Sequence, residues 1–294
     1  MHGIQDIIPI NQTGVRTMKK FMKPRTIFMV ACICLLAVSL FQIGLRLRDY
    51  ASEESSSNQM EDLFGVADAS NADTPSVLPS PDDADNDMNI DTDADTNPLI
   101  DDALSYFEGC DFDALLSVND EIIGWIVIPG TNISYPICQH EDNQYYLEHT
   151  SQREPSLVGA IFADYRVEEP FKEFNTILYG HRLLNQTMFS ALKTYVEKEV
   201  WEKQPYIYVY TPDSVYVYEI YAAFRGDPNG ISYDTGIHSE EKKQSFIDYS
   251  LSCSEYDTGI IPTTKDSFLT LSTCTGTGHT QRMIIHSVLI ATDK

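Results

Sequence analysis

The sequence predicts a mainly β domain: a closed or nearly closed eight-stranded barrel with N-terminal helices and one or two inserted helices, preceded by a single transmembrane helix. Three observations carry this. Eight short runs rich in β-branched and aromatic residues follow one another between residues 124 and 291, divided by turn signals. A twenty-residue run near the N-terminus carries no charge. Between them, residues 51–102 hold fifteen acids and no base.

The uncharged run is "TIFMVACICLLAVSLFQIGL", Thr26 to Leu45, long enough for a helix to cross a bilayer. Lys19, Lys20, Lys23 and Arg25 precede it, so the positive-inside bias puts residues 1–25 in the cytoplasm, residues 26–45 in the membrane and the rest outside. The run is long for a cleaved signal and no A-x-A site follows, which favours an uncleaved anchor. "MKKFMKPR" at Met18 reads as a more natural start than Met1.

Residues 46–100 read as an acidic, disordered linker, because Asp, Ser, Asn and Pro cannot bury enough surface to offset ordering entropy. Within it Asp91, Asp93 and Asp95 have calcium-loop spacing. Thr96 stands where such a loop needs Gly, and Pro98 spoils the exit, so a solvated linker is the expectation.

The outer domain, residues 101–294, opens with "PLIDDALSYFEGCDFDALLSVN", one or two short helices with Leu99, Leu104, Phe107 and Leu115 among the apolar positions. The strand runs follow: "GWIVI", "ISYPICQ", "VGAIFAD", "NTILYGH", "YIYVYT", "VYVYEIYAAF", "SFLTLST" and "RMIIHSVLIA". Pro212-Asp213-Ser214 is a hairpin turn. Residues 188–198 and 239–252 are helical patches, the second capped by Ser239. Tyr206, Tyr208, Tyr210, Tyr216 and Tyr218 are expected to pack across strands on one face. Of the net charge of −24, residues 103–294 carry −14 with no basic stripe, which excludes nucleic acid as a partner.

Six cysteines are present, of which Cys32 and Cys34 lie in the membrane run. The outer four could pair in three ways, but their spacings form no framework and a domain of this size needs no staples. Cys110, Cys138 and Cys253 therefore read as packed free thiols. Cys274 stands apart, at the end of a strand. His181 ends another strand, with Gly180 beside it to permit a sharp exit, and Arg282 opens the last one. If the final two strands form a hairpin, Cys274 and Arg282 share one end of the sheet, where a guanidinium would stabilise a thiolate or an oxyanion. His279 and His286 are rival imidazoles, and His286 shares strand parity with Arg282. His140, His149 and His238 fall in loops. Neither H-E-x-x-H nor C-x-x-C occurs, and no metal or other cofactor is implied.

"TLSTC" (270–274) resembles the TLxTC signature of sortases, the cysteine transpeptidases that attach proteins to Gram-positive cell walls. "NTILYGH" resembles the segment with their catalytic His, and "RMIIHSVLI" the strand with their essential Arg. "EIIGWIVIPGTNISYPICQ", "NQYYLEH" and "ILYGHRLLNQTMFSALKTY" are similar to class B members, and the similarity runs from about residue 110 to 292. The resemblance implies a sortase-type barrel and a two-step exchange. Cys274 attacks a C-terminal sorting signal to give a thioacyl enzyme, His181 shuttles protons and Arg282 holds the oxyanion. Tyr179, Ser272 and Thr273 would line the site, and Asn143 and Leu147 grip the peptide. The implied partners are that sorting peptide, an amine of a lipid-linked peptidoglycan precursor, and the membrane. Thr275 departs from the acid that some class B members carry after the Cys. The lack of an apolar tail after Lys294 argues against a pilin-polymerising class. The rivals are a secreted cysteine peptidase releasing to water and a non-enzymatic surface-binding module. Papain-like order is contradicted, since His181 precedes Cys274.

Overall fold

Each of the eight runs forms a strand in a computed structural model that describes residues 24–66, 97–274 and 280–293. They are β1 (Ile122–Ile128), β2 (Ile133–Cys138), β3 (Ile161–Ala163), β4 (Asn175–His181), β5 (Tyr206–Tyr210), β6 (Val215–Gly226), β7 (Phe268–Cys274) and β8 (Arg282–Thr292). They close a barrel in the order β1-β2-β3-β4-β7-β8-β6-β5. The β2/β3 and β4/β7 pairs are parallel and the others antiparallel. The period of two then sorts side chains. Ile126, Ile128, Ile207, Val209, Leu269, Leu271, Met283 and Ile285 fill the interior. The intervening residues face outward and are covered by helices and loops. At the β5–β6 turn, the Thr211 N–H donates to the Ser214 carbonyl at 3.0 Å.

Two sets of helices cover the outside. α2 (Pro98–Tyr106) and α3 (Phe112–Val118) start from Asn97 and Asp111, whose side chains accept from the Leu99 and Ala114 N–H groups. They bury Leu99, Phe107 and Leu115 against Trp125, Val127 and Tyr208, while Leu104 turns to solvent at 39% exposure. The 188–198 patch is a 3-10 helix, Phe189–Val196, followed by the short α4 (Lys198–Lys203). Its Phe189, Leu192 and Tyr195 join the interior cluster. α5 (Glu240–Cys253), capped by Ser239, packs Phe246 and Ile247 on Phe268, Ile284 and Val288.

The tyrosine hairpin differs from expectation. Tyr208 lies in the outer cluster, whereas Tyr216 and Tyr218 point into the barrel. The register opposes Ile207 with Tyr218 and Tyr208 with Val217, so the cross-strand unit is aromatic against aliphatic on each face. Cys110, Cys138 and Cys253 are free thiols. Burial pushes the Cys110 thiol up to about 12 and raises that of Cys138 as well, which disfavours the thiolate at both.

The chain divides into two units, Met1–Leu47 and Arg48–Lys294. α1 (Pro24–Phe64) begins in the first, and its Phe28–Arg48 stretch is long and apolar enough to cross a membrane. Its large apolar side chains, Phe28, Leu35, Leu40 and Phe41 among them, are exposed around the helix. In the second unit the structure corrects the linker boundary. Residues 48–64 are helical, and Met60 and Phe64 are fully buried. The four-residue spacing of Met60 and Phe64 puts both on one helix face, a local signal that the acidic average of the segment hides. Phe64 stacks on Trp125 at 4.8 Å and meets Phe112 edge-on at 5.9 Å. Residues 1–23 and 67–96, including the basic cluster up to Lys23 and Asp91, Asp93 and Asp95, lie outside the described residues.

Phe64→Ala should therefore destabilise the outer domain by about 3–5 kcal/mol, as for other buried aromatics. Denaturant unfolding of the full chain in detergent measures this, and a loss below about 0.5 kcal/mol, the size of a surface substitution, refutes the docking of the helix.

Candidate active site

Strand pairing assembles the site. β4 and β7 run parallel and in register over seven pairs, from Asn175 opposite Phe268 to His181 opposite Cys274. β8 flanks β7 on the other side, antiparallel, from Val288 opposite Phe268 to Ile284 opposite Ser272. β8 begins two residues before Ile284, at Arg282. Since Leu178, Leu271 and Met283 point inward, alternation puts positions 181, 274 and 282 on the outer face of one barrel rim.

Gly180 does not make a sharp exit. It is a regular strand residue facing inward, where a Cβ would collide with Ile161 and come within 2.8 Å of the Phe189 ring. The conformationally special glycine is Gly159, at φ +70°. A Cβ there would lie 2.6 Å from the Tyr146 carbonyl and 2.9 Å from Cδ2 of His181. The His181 ring is held by Nε2, 2.9 Å from the Leu147 carbonyl. Arg282 Nη1 donates to the Thr273 carbonyl at 3.2 Å.

Beside this rim lies a cleft of about 610 Å³. Asn143, Leu147, Tyr179 and Arg282 line it, together with Phe162, Arg166, Tyr233 and Asp234. Ser272 reaches it indirectly, sharing a 2.7 Å hydrogen bond with the Tyr233 hydroxyl. Thr273 does not line it: the residue is fully buried, its Oγ1 accepting from the Met283 N–H at 3.2 Å. Its inward parity makes it a brace between β7 and β8.

Arg166 and Tyr233 of the wall escaped the sequence reading, as did Asp164, the partner of Arg166. Asp164, fully buried, accepts from Arg166 Nε at 2.9 Å and Nη2 at 2.7 Å and from the Tyr179 hydroxyl at 2.8 Å. Burial alone would raise its pKa, but the hydrogen bonds from Arg166 and Tyr179 outweigh that and hold it below the usual carboxylate range. Tyr233 lies parallel to Tyr179 with centroids 6.2 Å apart. The one sequence-level hint was an Asp closing a β run two residues before an Arg.

The other imidazoles fall elsewhere. His286 is fully buried, with Nε2 2.9 Å from Ser232 Oγ, and burial lowers its pKa to about 3, so it is a neutral core residue. His140 and His149 sandwich the Tyr145 ring at 4.3 and 4.1 Å. His238 lines a separate crevice. His279 and Thr275 are outside the described residues.

A family model described as Sortase domain matches residues 126–290, more than half of the chain. The chain belongs to the sortase family. Sortase B of Staphylococcus aureus is 32% identical over 163 residues, 55% of this chain and 67% of that one. A solved S. aureus sortase B–substrate complex superposes with a TM-score of 0.59 at 31% identity, covering 61% of this chain and 84% of that one. The B. anthracis sortase B in complex with AAEK1 gives 0.63 at 26% identity, covering 83% and 99%. These relatives make it a class B sortase, a member of a cysteine transpeptidase family, and the closed eight-stranded barrel agrees with theirs.

For this sortase, the buried Asp164 contributes stability above its unfolded pKa of about 3.9 that is lost as pH falls through its lower folded value. Asp164→Asn should remove that component and cost about 1–3 kcal/mol at pH 7, discounted because Arg166 is 42% exposed. Urea unfolding from pH 2 to 7 tests this, and an unchanged acid slope refutes it.

Proposed function

We propose that this sortase is a single-pass membrane enzyme that cleaves the C-terminal sorting signal of secreted surface proteins and transfers the acyl part to an amine of a peptidoglycan precursor. The observation that supports it most is the parallel register that opposes His181 to Cys274, beside an open cleft lined by Arg282.

The Cys274 thiolate attacks the carbonyl carbon of the scissile amide. The Arg282 guanidinium stabilises the resulting oxyanion. As the C–N bond breaks, His181 gives a proton to the departing amine and a thioester remains on Cys274. The acceptor amine then attacks that thioester, His181 takes its proton, and the thiolate is released as the new amide forms. Asn143, Leu147, Tyr179 and, through Tyr233, Ser272 would shape the cleft for the peptide. A cleft that sets Phe162, Tyr179 and Tyr233 beside the polar groups of Asn143, Arg166, Asp234 and Arg282 suits an extended peptide. The apolar Phe28–Arg48 stretch would keep the enzyme at the outer membrane face, with the N-terminus cytoplasmic, where a lipid-linked acceptor and newly exported substrates meet.

Incubating the full chain with randomised five-residue sorting peptides and hydroxylamine separates transfer from hydrolysis. Hydroxamate product supports transfer, whereas free acid alone favours a peptidase. Cys274→Ala and His181→Ala should each lower turnover by about 10³-fold or more, and Arg282→Lys by about 10²-fold. Unaltered turnover of Cys274→Ala would overturn the role given to that residue, and no turnover by the unaltered chain would leave the non-enzymatic module as the better reading.

A further inference from the structure

The His181 ring is oriented by a neutral acceptor. A carbonyl oxygen can only accept, so the 2.9 Å contact to the Leu147 carbonyl puts a proton on Nε2 and leaves Nδ1 as the nitrogen that exchanges protons. Everything around that carbonyl is fastened. Leu147 ends a 3-10 turn, Tyr145–Leu147. Asp142 Oδ1 caps the turn, accepting from Gln144 and Tyr145 N–H groups at 2.7 and 2.9 Å. The Tyr146 carbonyl takes the Ala160 N–H at 2.9 Å, and Gly159 leaves room for the His181 ring against it.

The deepest fastening is Tyr146, fully buried. Its hydroxyl donates to Glu121 Oε2 at 2.6 Å and accepts from Asn119 Nδ2 at 2.8 Å. Asn119 also donates to the Ser151 carbonyl at 2.8 Å. Glu121 Oε1 meets His140 Nδ1 at 2.8 Å, and His140 stacks on Tyr145. None of these groups lines the cleft. A buried polar network of this kind fixes one arrangement, because leaving any member unpaired is costly.

We propose that Tyr146 and Glu121 are positioning residues for His181, acting through the Leu147 carbonyl, a neutral counterpart of the carboxylate that orients the histidine in other nucleophilic triads. The inference rests on the catalytic reading of His181. Tyr146→Phe keeps the packed ring and removes both hydroxyl hydrogen bonds. Glu121→Ala removes the acceptor, and Glu121→Gln keeps it.

The test uses the full chain in detergent, the best peptide from the randomised pool, and long-range ¹H–¹⁵N spectra of histidine-labelled protein. Tyr146→Phe and Glu121→Ala should lower kcat by about 10–100-fold, the scale of a small misplacement, with KM within about twofold. They should also turn the single Nε2–H form of His181 into a mixture, and Glu121→Gln should recover most of kcat. Unchanged kcat, or parallel losses in kcat and KM with the His181 spectrum unmoved, overturns the proposal even where Cys274→Ala and His181→Ala are inactive. Full turnover by His181→Ala overturns the catalytic reading instead, and this inference with it.

Discussion

The parallel pairing of β4 with β7 is the constraint on which the rest of the molecule depends. Parallel neighbours need a long connection, and here about ninety residues intervene between the two strands, among them β5, β6 and α5. That detour brings His181 and Cys274 together from distant parts of the chain. A one-residue slip of β7 would turn position 274 toward the interior and Thr273 toward the rim, so register is specified by the apolar residues that alternate beneath the site, Leu269 and Leu271 inside and Phe268 outside. The packing that holds β7 under α5 is therefore also what sets the chemistry.

The same logic explains the division of labour around the rim. Interior positions on β4 and β7 are Leu178, Leu269 and Leu271 with two buried threonines, Thr176 and Thr273, and Gly180, where a side chain would meet Ile161 and Phe189. Outward positions carry the polar groups, each tied to a loop: Tyr179 to Asp164, Ser272 to Tyr233, His181 to Leu147. The loops supply the cleft wall and the barrel supplies the fixed geometry, the usual distribution of function over a rigid scaffold.

Much of this was legible in the sequence, for reasons that can be named. Eight β-branched or aromatic runs with clear turn residues survive as eight strands, and Ser239 announces α5 through its side-chain cap. The antiparallel pairing of β7 with β8 follows from the short connection between them. What pairing sequence alone withholds is the neighbour across a parallel ladder, so His181 needed family resemblance to join them. Composition misled at residues 48–64, where averaged acidity concealed Met60 and Phe64. Strand parity alone misled at the tyrosines, because the β5–β6 register sets Tyr208 against Val217 and Tyr218 against Ile207, on opposite faces. Asp164, Arg166 and Tyr233 were missed because they sit on loops whose positions depend on tertiary packing.

The central claim is that His181 and Cys274 occupy directly opposed positions on adjacent parallel strands. Strand neighbours stand about 4.8 Å apart, within reach of a disulfide. Mild oxidation of the His181→Cys chain, followed by peptide mapping of the linked thiols, tests this directly. The account predicts a bond between positions 181 and 274, with Cys110, Cys138 and Cys253 left reduced. Independent alkylation of both thiols after oxidation contradicts it.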